Sequence, residues 1–393
     1  MFLKVPAENS RRKGLAVLKQ FSGKSFVLLC TALLPLLAFA ACGASGTSTP
    51  PAAAADAHAS FTMGIIHVGS KTDAGYNQAH AEAAELVQKN LPYVKVLEAE
   101  NIPENADVSR VIENMISQGA KFIVPASFGY LDPAMQVAAM HPDIMFDHPA
   151  GFKQADNFHT YWAASDQHSY ALGMAAGKMT KTNKLGFIGG FSIPNVIDSI
   201  NAFTLGARSV NPKAEMHVIF DNTWSDPAKE AASTNALVDQ GVDVVTMIVD
   251  SPITVVQTAE QRGIYSVGFH STGVQKYAPK GWISGIGFTW GNFFAREIQS
   301  IEKGTWKSNP KNLLGDLNSD MVTLAPWGSA VPDDVKTLVE AKVADFKAGK
   351  AQVFTGPVKD NKGNMKIPAG KVGDASLVNT IDWYVEGVIG QGS

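Results

Sequence analysis

Cysteine is almost absent from this chain of 393 residues. The two cysteines are Cys30 and Cys42, and both lie near the amino terminus. The chain after Cys42 therefore holds no disulfide and no thiolate nucleophile. Its stability has to come from a large hydrophobic core, and a content of 45% hydrophobic residues is enough to build one.

Several signatures of other protein classes are missing as well. The net charge is −3 and the isoelectric point is near 6.3, which argues against a nucleic-acid partner. The sequence contains no GxxxxGK[ST] loop, no GxSxG motif and no HExxH helix. We therefore expect no nucleotide hydrolysis by this chain, no metal site, no cofactor and no enzymatic activity.

The amino terminus has the features of a secretory signal. Basic residues between Arg11 and Lys24 precede an uncharged apolar run, Phe26 to Ala41, that is too short for an ordinary membrane span. Ala40-Ala41-Cys42-Gly43 resembles a bacterial lipobox, in which the cysteine becomes the lipidated first residue, although Phe39 stands where leucine is usual. We predict a lipoprotein signal peptide over 1–41 and lipidation at Cys42, with a plain signal peptide or an uncleaved anchor as alternatives.

Two neighbouring segments concern export and tethering. Ser10-Arg11-Arg12 resembles a twin-arginine signal, but Gly14 stands where a bulky apolar residue is expected, so the export route stays open. Gly43–Ser60 is made of small residues and two prolines, which cannot bury enough surface to offset chain entropy. We expect a flexible linker over 42–61, and no later apolar stretch reaches the roughly 18 residues of a membrane span.

Short apolar runs then alternate with helical patterns. The predicted strands are Met63–Val68, Val94–Ala99, Phe122–Ala126, Ile144–Phe146, Leu185–Ile188, Met216–Phe220, Val244–Val249, Tyr265–Phe269 and Ile283–Ile286, and the helical patterns include Asn77–Lys89, Val108–Gln118 and Gln167–Met179. Alternation of this kind predicts an α/β fold in which parallel sheets are flanked by helices.

A faint internal repeat indicates two similar lobes. The segment from Ile116 to Val124 parallels the segment from Leu237 to Val245, and each is a helix that ends at glycine and leads into the third strand of its half. Glycine after the last helical turn supplies the left-handed cap. The match is short, but it falls in equivalent places of both halves.

Ligands of open parallel sheets bind beyond the carboxyl ends of the strands. The loops predicted there are Gly69–Asn77, Ser127–Asp132, Asp221–Pro227, Asp250–Pro252 and His270–Thr272. Between them these loops offer aromatic rings, amides, hydroxyls and carboxylates. Flat rings combined with a few fixed polar groups suit a planar ligand that forms hydrogen bonds.

Five longer segments carry a family resemblance. They are Asp73–His80, Ser127–Pro133, Ser209–Pro212, Asn222–Glu230 and Phe354–Gly363. With them the chain resembles the basic membrane protein family of transporter substrate-binding lipoproteins, which includes the purine nucleoside receptor of spirochaetes, and most of all a proteobacterial branch regarded as purine-binding. The similarity covers roughly Met63 to Gly363. It implies a bilobed periplasmic-binding-protein-like fold with a hinge and a ligand cleft between the lobes.

The resemblance also implies residue roles. Tyr76 and Trp224 match two rings that clamp the base, one from each lobe, and Asp132 matches a polar ligand contact. Nucleoside-binding members carry an aspartate after the fourth strand of the second lobe, where it would grip ribose, but this chain has His270-Ser271-Thr272 there. The departure favours a free base or another heteroaromatic ligand over a nucleoside.

The predicted ligand-binding residues are Tyr76, Asn77, Phe128, Asp132, Trp224, Asp250, Ser251 and His270. Structural roles are open for most of them. The ring of Tyr76 could join a helix to the sheet, Trp224 could belong to a surface turn at a helix start, and Phe128 could be core packing. Asp132 could cap a helix that starts at Pro133, and Asp250 and Ser251 could cap the helix that follows them.

The remaining histidines are scattered, so metal binding is weakly indicated. His67, His80, His141, His148, His159 and His168 include no pair at the spacing of a zinc helix, and His80 is expected to be solvated. Asp73, Asp132, Asp226 and Asp250 are numerous enough for a glycosidase pair, but nothing else in the sequence supports hydrolysis.

These observations predict how the chain is divided and what it does. Lobe one would comprise 62–182 plus the helix 289–311, and lobe two 183–288 plus 312–393. The lobes would close around a purine base or nucleoside-like ligand, and the closed form would deliver it to a permease energised by a separate ATPase. The protein would be exported and held at the cell membrane by its lipid alone, facing the periplasm or the exterior. A ligand-sensing co-receptor and an exported nucleoside or glycoside hydrolase are the rival functions.

Overall fold

Two parallel sheets form the framework of the protein. The structure is a computed structural model that describes residues 60–163, 165–311, 313–374 and 377–390. The predicted signal peptide, the lipidation site Cys42 and nearly all of the linker lie outside the described residues. No helix among the residues described has the length and apolar character needed to cross a membrane.

Strands and helices alternate along the chain. The first half contains β1 (Phe61–His67), α1 (Tyr76–Asn90), β2 (Val94–Ala99), α2 (Asp107–Ser117), β3 (Phe122–Ala126), α3 (Leu131–Met140), β4 (Met145–Pro149), β5 (Phe158–Ala163) and α4 (Ser165–Met179). The second half contains β6 (Lys184–Gly189), α5 (Pro194–Val210), β7 (Glu215–Phe220), α6 (Pro227–Asp239), β8 (Val244–Ile248), α7 (Ile253–Gln261), β9 (Tyr265–Gly268) and β10 (Trp282–Phe288). The chain continues with α8 (Gly291–Glu302), β11 (Leu313–Gly315), β12 (Val322–Leu324), α9 (Asp333–Lys347), β13 (Val358–Lys359), β14 (Met365–Ile367), α10 (Leu377–Thr380) and β15 (Val388–Ile389).

The two large sheets repeat one strand order. The first runs β11-β5-β4-β3-β1-β2 and the second β12-β10-β9-β8-β6-β7-β15, so that each half places its first strand between its second and its third. All described pairs in these sheets are parallel except β10 with β12. The predicted class, two parallel sheets flanked by helices, is confirmed. The internal repeat falls at matching places, since Gly119 and Gly241 have φ values of 93° and 90° after α2 and α6.

The predicted strands are found with shifts of one to three residues at some ends, but β5 was missed. Its sequence, Phe158–Ala163, is fully buried although it includes His159 and Thr160. A strand covered on both faces is usually recognised by a continuous apolar run, and these two polar residues interrupt it. The omission matters because β5 carries Trp162, which lines the candidate ligand cavity described below.

The chain passes between the sheets more than once. After β10 of the second sheet, α8 packs against α1, and β11 extends the first sheet beside β5. Helix α4, which the sequence assigns to lobe one, packs along α5, and β11 falls within the segment assigned to lobe two. The exact boundaries of the lobes therefore stay a prediction, while the crossings provide the connections about which two lobes can move.

Candidate functional site

A narrow cavity lies between the carboxyl ends of the two sheets. From the first half it is lined by Tyr76, Ser127, Phe128, Ala150 and Trp162, and from the second by Ile193, Asn195, Trp224, Ile248, Asp250 and His270. The space open to water inside it is ≈ 30 Å³. The cavity is therefore a narrow slot, and its aromatic walls suit a flat group.

The loop after β1 prepares the start of helix α1. The Asp73 carboxylate accepts hydrogen bonds from the backbone N–H groups of Gly75 (2.8 Å), Gln78 (3.0 Å) and Asn77 (3.1 Å). It therefore satisfies donors that a helix start leaves unpaired. This arrangement places Tyr76, the first residue of α1, at the cavity.

The same loop touches the second half of the protein. The backbone N–H of Tyr76 donates to the carbonyl of Asp250 over 3.1 Å. The Asn77 side chain donates to Asp73 at 2.8 Å and to Asp250 at 3.2 Å, so one buried amide ties the two loops together. Gly75 is needed at this contact because a Cβ atom there would lie 1.9 Å from the Asp250 carbonyl oxygen.

Trp224 is held by contacts from both halves. Its carbonyl accepts the backbone N–H of Asp250 at 2.7 Å, and its indole N–H donates to the carboxylate of Glu104 at 3.3 Å. Glu104 also accepts from Ser127 Oγ (2.5 Å) and from the Gly129 N–H (2.7 Å). The helix cap in this turn is supplied by Asp226, so the Trp224 ring is free to form a wall of the cavity.

Burial shifts the pKa values of three side chains at the cavity. Burial, reinforced by the charge of Asp73, raises the pKa of Asp250 well above its usual range. Burial also lowers the pKa of His270 to about 3 and raises that of Tyr76 well above its ordinary value. These shifts favour the uncharged form of all three groups, which suits an uncharged ligand better than an ion.

Three buried polar atoms at the cavity have no hydrogen-bond partner among the residues described. They are Asn195 Oδ1, His270 Nδ1 and Trp162 Nε1. An unpaired buried polar atom costs about 1–3 kcal/mol. The slot thus contains an unpaired acceptor, an unpaired imidazole nitrogen and an unpaired N–H donor. A ligand that forms hydrogen bonds could pair with all three.

Four loops around the cleft contain a non-glycine residue in the left-handed region. The φ values are 58° at Ala74, 55° at Ala150, 53° at Asn222 and 74° at His270. Such conformations are unfavourable for residues with a Cβ and are often found at ligand sites, where the surrounding structure enforces them. Ala150 and His270 themselves line the cavity.

The eight predicted residues are not all brought together. Tyr76, Phe128, Trp224, Asp250 and His270 line the cavity. Asn77 is buried beneath it, and the Ser251 hydroxyl lies 3.4 Å from the Asp73 carbonyl, so these two residues support the loops. Asp132 is exposed and pairs with Lys153 at 2.6 Å; it lies within α3 and its side chain does not cap that helix.

Some predictions made for single residues were wrong. His80 is fully buried, and its Nε2 lies 3.0 Å from the Tyr161 hydroxyl, so it is not solvated. Asp250 and Ser251 do not cap α7, whose start has no side-chain cap.

Several residues of the site were not predicted from the sequence, among them Trp162, Asn195 and Glu104. Trp162 was missed with its strand, and Asn195 follows β6, whose carboxyl end was not among the predicted ligand loops. Glu104 follows β2, and nothing in the local sequence indicates its contact with Trp224, 120 residues away.

The fold and the cleft together define a two-lobed solute-binding protein. The chain matches the family described as ABC transporter substrate-binding protein, PnrA-like, over residues 61–362, and it belongs to that family. Substrate-binding proteins of ABC transporters bind a small molecule and deliver it to a permease.

Curated relatives extend the comparison. A purine-binding protein of Brucella abortus (strain 2308) is 38% identical over 336 residues, which cover 85% of this chain and 95% of the relative. A protein of Haloferax volcanii named for glucose binding in an ABC transporter is 29% identical over 326 residues, covering 83% of this chain and 80% of the relative.

Solved structures agree on the fold. An ABC transporter solute-binding protein from Conexibacter woesei aligns with a TM-score of 0.60 at 20% identity, covering 74% of this chain and 98% of that one. A solute-binding protein from Aeropyrum pernix K1 gives a TM-score of 0.63 at 16% identity, covering 76% and 93%. The predicted family and the periplasmic-binding-protein-like fold are thereby confirmed.

Proposed function

We propose that this protein captures a purine base, or a nucleoside-like heteroaromatic ligand, between its lobes and delivers it to a membrane permease driven by a separate ATPase. The observation that carries the proposal is the slot itself, which takes Tyr76 from one lobe and Trp224 from the other. The aromatic lining of the cavity and the purine-binding relative at 38% identity support it.

Each cavity residue has a proposed role. Tyr76, Phe128 and Trp224 would contact the faces and edges of the base. Asp250 and His270 would form hydrogen bonds with its polar edge. Asn77 and Ser251 would hold the loops in place, while ligand contact by Asp132 stays a prediction from the family resemblance alone.

Calorimetric titration of the purified protein tests this function. We expect binding of adenine, guanine or hypoxanthine, or of a corresponding nucleoside, and none of glucose. Glucose is the informative competitor because one relative is named for it. Binding of glucose without any purine would overturn the proposal, and conversion of a bound nucleoside, detected by chromatography, would favour a hydrolase. Purine binding beside a gene for a sensor kinase, with no permease gene nearby, would favour the co-receptor role.

A free base is expected to bind at least as tightly as its nucleoside. The position after β9 carries His270, Ser271 and Thr272 in place of a carboxylate that could accept hydrogen bonds from ribose. The sugar of a nucleoside therefore adds little favourable contact. In a site that had a ribose-binding carboxylate, a free base would leave that carboxylate unpaired at a cost of about 1–3 kcal/mol, and this site has no such penalty. Titration with both ligands resolves a tenfold difference, which is 1.4 kcal/mol.

A nucleoside that binds more than tenfold tighter than its base would contradict this expectation. Asp250 would then be the residue to test for a sugar contact, because its carboxyl group lies in the cavity wall.

We further propose that the protein is anchored through a lipid on Cys42. A Cys42→Ser variant should incorporate no labelled fatty acid, because the serine hydroxyl does not replace the thiol in thioether formation. Metabolic labelling followed by precipitation measures this directly. Fatty acid on the variant at the wild-type level would refute the anchor, and Cys30→Ser serves as the control cysteine.

A further inference from the structure

A second cluster of ionisable side chains lies inside the first half of the protein. Asp147 on β4 and His159 on β5 are direct partners in the register of the two parallel strands. Glu297 lies on α8, and one ligand atom from each of the three residues falls within 4.8 Å of the others. None of the three lines the ligand cavity.

The cluster is buried and its polar atoms are poorly satisfied. Asp147 is 0% exposed, and neither of its carboxylate oxygens has a hydrogen-bond partner among the residues described. Both ring nitrogens of His159 are likewise without a hydrogen bond, although Nδ1 lies 3.3 Å from Asp147 Oδ1. A fully buried carboxyl group without hydrogen bonds is rare and unfavourable, so a group that coordinates it would stabilise the protein.

Charge and orientation both favour a cation in this cluster. A metal ion binds the deprotonated forms of these groups, and two carboxylates with a neutral imidazole would then carry a charge of −2, which a divalent ion would balance. The Trp306 indole donates to Glu297 Oε2 over 2.6 Å, and its ring lies edge-on to His159 with centroids 6.0 Å apart. A hydrogen bond to the carboxylate from outside the cluster is how ligands of protein-bound metals are usually oriented.

We propose that Asp147, His159 and Glu297 form a binding site for one divalent transition-metal ion, with zinc the best match. Zinc accepts imidazole nitrogen and carboxylate oxygen at about 2.0–2.2 Å in a tetrahedral arrangement. Such ligand atoms lie roughly 3.4 Å apart, so small side-chain adjustments suffice. Calcium and magnesium prefer oxygen ligands only, and the imidazole argues against them.

The ion would hold α8 against the first sheet. Helix α8 follows β10 of the second sheet, so its attachment to β4 and β5 depends on packing across a chain crossing. An ion shared by the helix and both strands would stabilise this attachment, and its binding would raise the unfolding temperature of the protein.

Zinc titration tests the site. The purified metal-free protein should bind one Zn²⁺ per chain by calorimetry, and its unfolding temperature should rise with added zinc. Asp147→Asn, which preserves the shape of the side chain, and Glu297→Gln should each weaken zinc binding at least tenfold. A wild-type sample loaded with Co²⁺ should show visible absorption bands that are lost in both variants.

A matched control separates this site from surface histidines. His141 lies 3.0 Å from Glu113 in a partly exposed pair on the protein surface. A His141→Gln variant should keep full zinc affinity. No zinc bound at one equivalent by the wild type, or equal zinc affinity in wild type and Asp147→Asn, would overturn the proposal. If Asp147→Asn loses the circular dichroism spectrum of the folded protein, the zinc affinity of Glu297→Gln tests the proposal instead.

Discussion

Replacing Gly75 by alanine should weaken ligand binding at least tenfold, or about 1.4 kcal/mol. A Cβ at this position would meet the Asp250 carbonyl oxygen at 1.9 Å and the Pro252 ring at 2.5 Å. The first of these atoms belongs to the backbone, so the clash cannot be relieved by rotation of a side chain. The loops after β1 and β8 would therefore have to stay apart, and the two walls of the slot, which these loops carry, would be separated as well.

The expected defect is in closure rather than in folding. Gly75 lies in the loop between β1 and α1 and not in a sheet, so the unfolding temperature of the variant should remain near that of the wild type. Small-angle X-ray scattering with and without purine measures closure, and calorimetry measures affinity. We expect the wild type to contract on binding and Gly75→Ala to stay extended.

Gly273→Ala is the matched control for this experiment. A Cβ at Gly273, in a loop that also follows a strand of the second sheet, would lie 3.5 Å from Ser271 Oγ, which is an ordinary contact. This variant should bind and close like the wild type. Normal affinity in Gly75→Ala would show that the contact between Gly75 and Asp250 is not required for ligand capture.

The second large effect is expected for Trp224→Ala. If the indole stacks on a base, its removal should weaken purine binding by about 1–3 kcal/mol, the range found for bases stacked on aromatic side chains. The ring is held from across the cleft by Glu104 and is backed by Phe191, whose ring centroid lies 5.0 Å away. Its loss would leave one wall of the slot open to water.

Calorimetry of Trp224→Ala and Trp224→Phe separates stacking from the hydrogen bond to Glu104. The phenylalanine variant keeps a flat ring and should retain most of the affinity. Trp327→Ala is a suitable control, because Trp327 also donates to a glutamate, Glu340 at 3.0 Å, but lies away from the cavity. Unchanged purine affinity in a folded Trp224→Ala variant would remove Trp224 from the site.

Local patterns in the sequence were sufficient for most of the framework. The strand Phe122–Ala126 was predicted at its observed bounds, because buried parallel strands are continuous apolar runs that need no knowledge of their neighbours. The glycine-terminated helices before β3 and β8 were recognised because a left-handed cap is a property of a few adjacent residues. The expectation that ligands bind beyond strand ends then led to Tyr76 and Trp224.

Contacts between loops that are distant in sequence could not be predicted from such local patterns. Asn77 bonds to Asp250 across 173 positions of sequence, and Glu104 bonds to Trp224 across 120. These pairs depend on how two lobes approach each other, a relation that periodicity within a single segment does not contain. Asp132 also depends on tertiary structure, since its place in a matching motif predicts a ligand contact and its side chain pairs with Lys153, 21 positions away.

The amino-acid sequence was thus enough to predict the family, the α/β class and five of the residues that line the cavity, because a short stretch of chain indicates each of them. Packing in three dimensions selected which polar groups stay unpaired in the slot, Asn195 and Trp162 among them, and brought Asp147, His159 and Glu297 together from two strands and a helix. Whether a polar atom is buried, and whether it has a hydrogen-bond partner, depends on the residues that surround it. In this protein those residues include ones more than a hundred positions apart in sequence, as His159 and Glu297 are.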